Sequence, residues 1–241
     1  MARFFAAASD ICGGAIRLDA ETARHVRSLR LRPSEQFTVC DGEGTDYICR
    51  LGERGDGTTA EIIEALPSRG EPSVECAVYI ALAKGDRLEY AVQKSVELGA
   101  HRIVLFPSAR VVAEPGDIAK KTSRLQRIAL EAAKQSFRGR VPDIAAADSF
   151  AEAVGQAALA ELPIFFYECE ADRHLKQVLE SSGAFKSVSI VTGPEGGFTE
   201  DEADFAQSSG MTAVTLGPRI LRCETAPAAA LSAIMYHTGN F

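Results

Sequence analysis

The chain has little that could hold a metal ion or a disulfide framework. Its 241 residues include six cysteines and four histidines, but no C-x-x-C pair and no histidine at metal-ligand spacing. Scattered cysteines of this kind are typical of a reduced cytosolic protein rather than a zinc protein or a disulfide-linked extracellular domain. We therefore expect no bound metal and a cytoplasmic location.

Long apolar runs and an excess of positive charge are also missing. No apolar run reaches the length of a membrane span, and the apolar stretch in the opening MARFFAAASDICGG is too short for a secretory signal. We therefore expect no membrane partner. The formal net charge of −7 excludes a uniformly basic nucleic-acid-binding protein but leaves room for local basic patches.

The glycines do not form the common nucleotide-binding or hydrolase motifs. The sequence contains no G-x-G-x-x-G, Walker A, G-x-S-x-G or HExxH pattern. Two glycine loops instead follow short strand-like stretches near the end of the chain: GPEGG at residues 193–197 and Gly217-Pro218. Glycine and proline interrupt strands, and glycine leaves the backbone N–H groups uncovered.

These two loops predict a ligand site. If the strands that precede them, 188–192 and 213–216, are parallel neighbours, both loops lie at the carboxyl edge of one sheet, where open α/β folds bind ligands. Thr199 and Glu202 have the spacing of a capping box and predict a helix after the first loop. Either loop alone is most simply a strand-to-helix connection, but the pair favours a binding site.

The sequence GPEGGF, followed by LGPRILR-x-ET, resembles the cofactor-binding signature of the ribosomal RNA small-subunit methyltransferase E family. The segments KGDRLEYAVQKSVELG and EAAKQSFR, the latter followed by VP, are also similar to that family. The family belongs to the knotted SPOUT methyltransferases, which use S-adenosylmethionine (SAM). Its substrate is N3 of a uridine in 16S ribosomal RNA of the small ribosomal subunit.

The resemblance implies an α/β fold in two domains. Residues 1–70 would form a PUA-like RNA-binding β-barrel, and residues 74–241 a SPOUT α/β domain with a deep trefoil knot, joined by a linker at 67–72. Alternating patterns at 36–40, 46–51 and 58–66, separated by glycine turns at 41–44 and 55–57, agree with a small β-rich module. The linker is followed by alternating strands and helices, which favour a parallel sheet.

The last helix, predicted over residues 226–235, is apolar on nearly every side. A helix without a polar face is buried or lies at an interface. In the resemblance it packs in the knot and against a second copy, so we expect a homodimer.

In the family, three loop ends surround the cofactor. Bare glycine backbone suits the hydrogen-bonding edges of adenine, and apolar side chains suit the faces of the ring. On this chain the resemblance assigns the cofactor to Tyr167, Glu168, Thr192, Gly193, Pro194, Glu195, Gly197, Leu216, Gly217, Ile220, Leu221 and Arg222.

Methylation of uridine N3 requires loss of the imide proton. We expect Arg222 to stabilise the resulting uracil anion, and Glu195 or Glu224 to accept the proton. Loop scaffolding is an equally good interpretation of the two glutamates, and an ion pair between loops is the alternative for Arg222. Cys223 departs from the family, which usually has threonine there, so a catalytic hydroxyl at this position is in doubt.

Two stretches concentrate positive charge. Residues 17–32 contain five arginines and two acids, and residues 120–140 contain seven Lys or Arg and one acid. We expect RNA contacts from Arg24, Arg27, Arg30, Arg110, Arg124, Arg127 and Arg138. Solvated helix faces are the alternative for both stretches.

Two other functions remain open from the sequence. A non-catalytic RNA-binding protein could keep this fold, although the intact glycine loops argue against it. A SPOUT methyltransferase acting on another ribosomal or transfer RNA position is the second alternative.

Overall fold

The computed structural model of the chain describes residues 2–32, 34–52, 58–111 and 118–241. The chain divides into two compact units: Met1–Glu71 with Ala133–Val141, and Pro72–Ala132 with Pro142–Phe241. The predicted turn at residues 55–57 lies outside the described residues.

The first unit is a mixed sheet with one helix against it. Its elements are β1 (Arg3–Phe5), β2 (Ile11–Cys12), β3 (Ala15–Arg17), α1 (Ala20–Ser28), β4 (Phe37–Cys40), β5 (Thr45–Leu51) and β6 (Thr59–Pro67). The spatial order is β1-β4-β5-β6-β3-β2, with β1 parallel to β4 and the other pairs antiparallel. The three predicted strands match β4, β5 and β6 within one residue. Strands β1 and β2 are the two edges of this sheet, and among the described residues no hydrogen-bonded pairing joins them to close a barrel.

The alternation of inward-facing and outward-facing side chains along the strands explains the core of this unit. Phe37, Val39 and Cys49 point inward and are fully buried together with Ile16, and Val26 of α1 covers them. Burying such side chains contributes roughly 1.5–3 kcal/mol each. The amphipathic pattern read from the sequence therefore forms a small core of its own.

The segment 133–141 belongs to this unit because Glu71 binds it. The carboxylate of Glu71 accepts hydrogen bonds from the backbone N–H groups of Gly139 and Arg140, at 2.8 and 2.9 Å, and from the guanidinium of Arg138 at 2.7 Å. Arg3 adds a hydrogen bond from Nε to the Arg138 carbonyl, at 3.1 Å. The expected domain bounds, 1–70 and 74–241, place residues 133–141 in the second domain, whereas their contacts place them in the first unit.

The second unit has one parallel sheet covered by helices. Its elements are β7 (Glu75–Ala81), α2 (Asp86–Glu97), β8 (Arg102–Phe106), α3 (Ile118–Gln135), β9 (Asp143–Ala146), α4 (Phe150–Ala157), β10 (Leu162–Phe166), α5 (Leu175–Ser181), β11 (Ser187–Thr192), α6 (Glu200–Ser208), β12 (Thr212–Val214) and α7 (Ala226–His237). The spatial order is β12-β10-β11-β7-β8-β9, with every pair parallel. β9 and α5 have no counterpart among the predicted elements.

One expectation about this sheet is wrong in detail. The two strands that precede the glycine loops, β11 and β12, are not neighbours, because β10 lies between them. Both pair with β10 in parallel. Their carboxyl ends therefore still lie at the same edge, with the end of β10 between them.

The helices differ in how their first turns are capped. Thr199 and Glu202 form the predicted capping box of α6. Gly85 occupies the N-cap of α2, with φ of 62° and no side-chain hydrogen bond. Thr225 occupies the predicted N-cap of α7 without a side-chain hydrogen bond.

Helix α7 has two faces. Its buried side carries Pro227, Ala230, Leu231, Ile234 and Met235. The opposite side carries small residues that are partly exposed and ends at Tyr236, whose side chain is 79% exposed. This helix therefore packs along one face only within the chain.

Candidate active site

A cavity of about 480 Å³ opens at the carboxyl edge of the parallel sheet. Its walls come from the segments that follow β10, β11 and β12. Every residue that the sequence assigned to the cofactor lies on these walls: Tyr167, Glu168, Thr192, Gly193, Pro194, Glu195, Gly197, Leu216, Gly217, Ile220, Leu221 and Arg222. Their roles remain predictions, but the fold brings all of them together.

The loop at residues 193–197 needs its glycines for two different reasons. A Cβ on Gly193 would approach the ring of Phe198 to 3.1 Å, so the chain passes too close to that buried ring for a side chain. Gly197 has φ of +69°, and a Cβ there would collide with the Glu168 carboxylate. Both constraints keep the backbone facing the cavity free of side chains.

The loop at residues 215–224 forms the opposite wall. Gly217 has φ of +106°, and its N–H donates to Thr215 Oγ1 at 3.2 Å, which closes a tight turn. Ile220 is 80% exposed although it is apolar, and Leu221 is half-buried. An exposed isoleucine beside bare backbone provides an apolar surface for a flat ring.

Glu195 is held by donors and is poorly suited to accept a proton. Its Oε1 accepts hydrogen bonds from the Lys84 N–H at 3.1 Å and from the Arg87 guanidinium at 2.9 Å. Burial alone would raise the pKa of Glu195, but its own backbone N–H, the Lys84 N–H and Arg87 outweigh burial and lower that pKa. A lowered pKa favours the scaffolding interpretation of this residue.

Arg222 and Glu224 both lie on the cavity wall. Within the described part of the chain, no side-chain hydrogen bond or ion pair to Arg222 is found, and its guanidinium is exposed. The proposed ion pair between loops is therefore not supported. The backbone carbonyl of Arg222 instead accepts from the N–H groups of Thr225 and Ala226, at 2.8 and 3.0 Å, at the start of α7.

Cys223 supplies a neutral thiol. Its Sγ donates to Glu224 Oε2 at 3.2 Å. Burial, this hydrogen bond and the carboxylates of Glu195 and Glu224 raise the pKa of Cys223 to about 12. The thiol is therefore protonated at neutral pH, and the residue is a weak donor to Glu224 rather than a nucleophile.

The cavity also has walls that sequence reasoning missed. These residues are Arg87, Phe166, Val214, Thr215, Arg219 and Ala226, together with Gly196 and Cys223, which were noted but not assigned to the cofactor. Arg219 lies inside the LGPRILR motif and could have been included on that ground. Arg87 is over a hundred positions away, and only the paired strands β7 and β11 bring it close.

The predicted RNA-contacting arginines differ in their surroundings. Arg24, Arg27 and Arg30 of the first unit are exposed. In the second unit Arg127 is exposed, and Arg124 is 65% exposed while it pairs with Glu89 at 2.7 Å. All five residues are exposed, and exposure is what a phosphate contact requires.

Arg138 departs from that expectation. Helix α3 ends at Gln135, and Phe137 adopts φ of 59°. Arg138 therefore lies beyond the end of the helix and not on the same face as Arg124 and Arg127. Its side chain is 3% exposed and pairs with Glu71 at 2.7 Å. A buried, paired guanidinium does not reach a phosphate, and we assign Arg138 a structural role.

Arg110 lies against the first glycine loop. Its guanidinium donates to the Gly196 carbonyl at 3.2 Å, and a Cβ on Gly196 would approach Arg110 Cβ to 3.0 Å. The residue is exposed, so the contact lies at the outer side of the loop. Arg110 therefore belongs to the surroundings of the cavity.

In the described ranges, no group of three or more His, Cys, Asp or Glu side chains is arranged to hold a metal ion. No helix in the same ranges combines the length and apolar content needed to cross a membrane.

Comparison with known protein families identifies both parts of the chain. Residues 70–235 match an RNA methyltransferase domain, and residues 18–64 match an RNA methyltransferase PUA domain. The chain is 35% identical to ribosomal RNA small subunit methyltransferase E of Bacillus subtilis over 230 residues, covering 92% of this chain and 90% of that protein. The corresponding Synechocystis protein is 34% identical, with 86% and 68% covered.

A solved structure is similar over nearly the whole chain. It is a ribosomal RNA small subunit methyltransferase E from Neisseria gonorrhoeae, bound to S-adenosyl methionine. Its TM-score is 0.84 at 33% identity, and the match covers 98% of this chain and 97% of that one.

Proposed function

Because this chain belongs to the ribosomal RNA small subunit methyltransferase E family, we propose that it methylates N3 of a uridine in 16S ribosomal RNA with SAM as donor. The protein is a SAM-dependent ribosomal RNA methyltransferase. The observation that carries the proposal is the cavity at the carboxyl edge of the parallel sheet, where two glycine loops expose backbone beside apolar side chains.

The lining of the cavity suits both the adenine ring and the charged methionine part of SAM. Bare backbone of the 193–197 loop suits the edge of an adenine, and Leu216, Ile220 and Leu221 suit its faces. The same walls carry Glu168 and Glu195 as anions and Arg222 as a cation. When bound, SAM supplies an electrophilic methyl group on a sulfonium, and the residues around it align the acceptor for in-line transfer.

The protein's own contribution to the chemistry centres on Arg222. Its guanidinium, which no described side chain pairs with, stabilises the negative charge that develops on uracil as N3 loses its proton. Of the two carboxylates expected as proton acceptor, we propose Glu224. Glu195 is engaged by Arg87 and by the N–H of Lys84, and its pKa is lowered.

We further propose that RNA binds on two basic surfaces. One is formed by Arg24, Arg27 and Arg30, and the other by Arg124 and Arg127. Their exposure supports this, and an acidic chain binds RNA only where positive charge is concentrated.

The finer architecture is likewise a proposal. We propose that residues 1–70 form a PUA-like β-barrel and residues 74–241 a SPOUT domain with a deep trefoil knot, in the cytoplasm. The match to a PUA domain supports the first, and the match to an RNA methyltransferase domain supports the second.

We also propose a homodimer through α7. The face opposite its buried side carries Ala228, Ala229, Ser232 and Ala233, all partly exposed, and ends at the exposed Tyr236. Small apolar residues allow two helices to pack closely. Light scattering at micromolar concentration should give the mass of two chains, and the mass of one chain would contradict this proposal.

The function is tested by methylation in vitro. The purified protein, with SAM labelled in the methyl group, is incubated separately with small ribosomal subunits, free 16S RNA and transfer RNA. We expect label in 16S RNA, located at uridine N3 by mass spectrometry. Label in transfer RNA alone would favour the alternative RNA substrate, and SAM binding without transfer to any RNA would favour a non-catalytic role.

A further inference from the structure

Glu202 lies outside the cavity, yet its carboxylate joins two segments beside it. Only 8% of the residue is exposed, and both oxygens are engaged. Oε2 accepts from the N–H and the hydroxyl of Thr199, at 2.9 and 3.3 Å, which is the capping-box contact of α6. Oε1 accepts from Ser108 Oγ and from the Ala109 N–H, both at 2.9 Å.

Capping explains only the first oxygen. A capping-box glutamate serves its own helix by binding the N-cap N–H, as Oε2 does here. The contacts of Oε1 lie more than ninety positions earlier in the chain, in the turn that follows β8. That turn is closed by a hydrogen bond from the Val111 N–H to the Ser108 carbonyl, at 3.1 Å.

The turn at residues 108–111 contacts the first glycine loop. Arg110, the residue after Ala109, donates to the Gly196 carbonyl at 3.2 Å. A Cβ on Gly196 would lie 3.0 Å from Arg110 Cβ and 3.2 Å from the Arg110 carbonyl oxygen. The two backbones are therefore in contact, and a shift of the turn moves the loop.

The loop has little internal structure to resist such a shift. Within residues 193–197, the backbone hydrogen bond in the described structure is the one from the Gly197 N–H to the Pro194 carbonyl, at 3.0 Å. Its other restraints come from outside: Lys84 and Arg87 at Glu195 on one side, and Arg110 at Gly196 on the other. Glu202 binds Ser108 and Ala109, the two residues before Arg110, and so helps to hold Arg110 in place against Gly196.

We infer that Glu202 is a positioning residue for SAM, which holds the 108–110 turn against the glycine loop and thereby fixes the backbone on the cavity wall. The inference rests on the proposed function, because it assigns the cavity to SAM. It also gives Arg110 a role on the loop that does not depend on RNA.

The experiment compares Glu202→Gln with a matched control, Glu152→Gln. Glu152 is the same third residue of α4, after the N-cap Ser149, and accepts from the Asp148 N–H at 2.7 Å. It does not line the cavity. SAM affinity is measured by calorimetry, and thermal unfolding of each variant is measured alongside.

We expect both variants to lose some thermal stability, but only Glu202→Gln to lose SAM affinity, by about tenfold. Ser108→Ala leaves the cap of α6 intact and should weaken SAM binding in the same direction. With saturating SAM, methylation by Glu202→Gln and by Ser108→Ala should return to nearly the wild-type rate. The loss should therefore appear in KM for SAM and not in kcat. Combining Glu202→Gln with Arg110→Met should cost less than the sum of the two changes, because both act through Gly196.

The inference is overturned if folded Glu202→Gln and Ser108→Ala bind SAM within about twofold of the wild type. Failure of the wild-type chain to bind SAM would overturn the proposed function as well, so the two failures are distinguishable. Should Glu202→Gln not fold, Ser108→Ala alone decides the question.

Discussion

The guanidinium of Arg87 donates to the carboxylate of Glu195 at 2.9 Å, across 108 positions of sequence. This contact joins the first turn of α2 to the first glycine loop. The contact favours a positioning role for Glu195 on the loop over a role as proton acceptor.

We predict that Glu195→Gln lowers thermal stability in a pH-dependent way. The folded pKa of Glu195 is lowered from its ordinary value of 4.5, so its carboxylate stabilises the fold above that value. This contribution is lost as the pH falls through the lowered pKa. The difference in Tm between wild type and Glu195→Gln should be constant above about pH 5 and shrink below it.

The control for that series is Glu61→Gln. Glu61 also binds an arginine, Arg50 at 2.8 Å, and its pKa is also lowered, but the side chain of Glu61 is 44% exposed whereas that of Glu195 is 21% exposed. Exposed pairs contribute little to stability. A stability difference for Glu195→Gln that matched Glu61→Gln at every pH would contradict a structural role for the Arg87–Glu195 contact.

Gly197→Ala should weaken SAM binding, because the new Cβ displaces the exposed carboxylate of Glu168 on the cavity wall, while Gly183→Ala should not. The two glycines have nearly the same φ, +69° and +68°, so alanine costs each about 1 kcal/mol of backbone strain. At Gly183 the new Cβ meets nothing within 4 Å, whereas at Gly197 it collides with the Glu168 carboxylate. Calorimetry with SAM and denaturant unfolding of both variants separate strain from the collision; equal SAM affinity would exclude Gly197 from the cofactor site.

Arg222→Ala should reduce methylation far more than RNA binding. If its guanidinium stabilises the uracil anion, its loss should lower the single-turnover rate by about a hundredfold. Arg219→Ala removes a neighbouring exposed charge on the same wall and provides the comparison. An equal loss of rate in both variants would indicate general electrostatics and not a specific role for Arg222.

Removing charge from α3 should weaken RNA binding and flatten its salt dependence. Each phosphate contact contributes somewhat less than about one unit to the logarithmic slope, so Arg124→Gln with Arg127→Gln should reduce it by about 1.5. SAM affinity should not change, because neither residue lines the cavity. An unchanged slope in a salt titration would return these arginines to a solvated helix face.

Arg138→Gln should behave differently and destabilise the first unit. Its guanidinium is buried with Glu71, and removing one partner of a buried pair costs about 3 kcal/mol. Denaturant unfolding would show this loss, and Glu71→Gln should show a similar one. A stable Arg138→Gln variant with a flattened salt slope would restore Arg138 to the RNA-binding set.

The parts of the structure that local chemistry determines were predictable from the sequence. The capping box at Thr199 and Glu202, the glycine loops and the inward-facing residues of β4 and β5 all depend on neighbours in the chain. Family resemblance added the third loop of the site, at Tyr167 and Glu168. All of these lie where sequence and resemblance together indicated.

The remaining features depend on long-range contacts or on one unusual backbone angle. Nothing near Arg87 or Ser108 in sequence indicates that each binds a glutamate about a hundred positions later. Arg138 was expected to contact RNA, but it lies beyond the end of α3, after Phe137, whose positive φ is a conformation usually reserved for glycine at a helix end.

The position of β10 between β11 and β12 has a consequence for how the chain is made. During synthesis, β7 to β11 emerge first and can form five neighbouring strands of the sheet. One wall of the cavity, at residues 214–226, follows all five of these strands in the chain. A nascent chain that has emerged only as far as β11 therefore lacks a complete cavity until residues 214–226 have emerged as well.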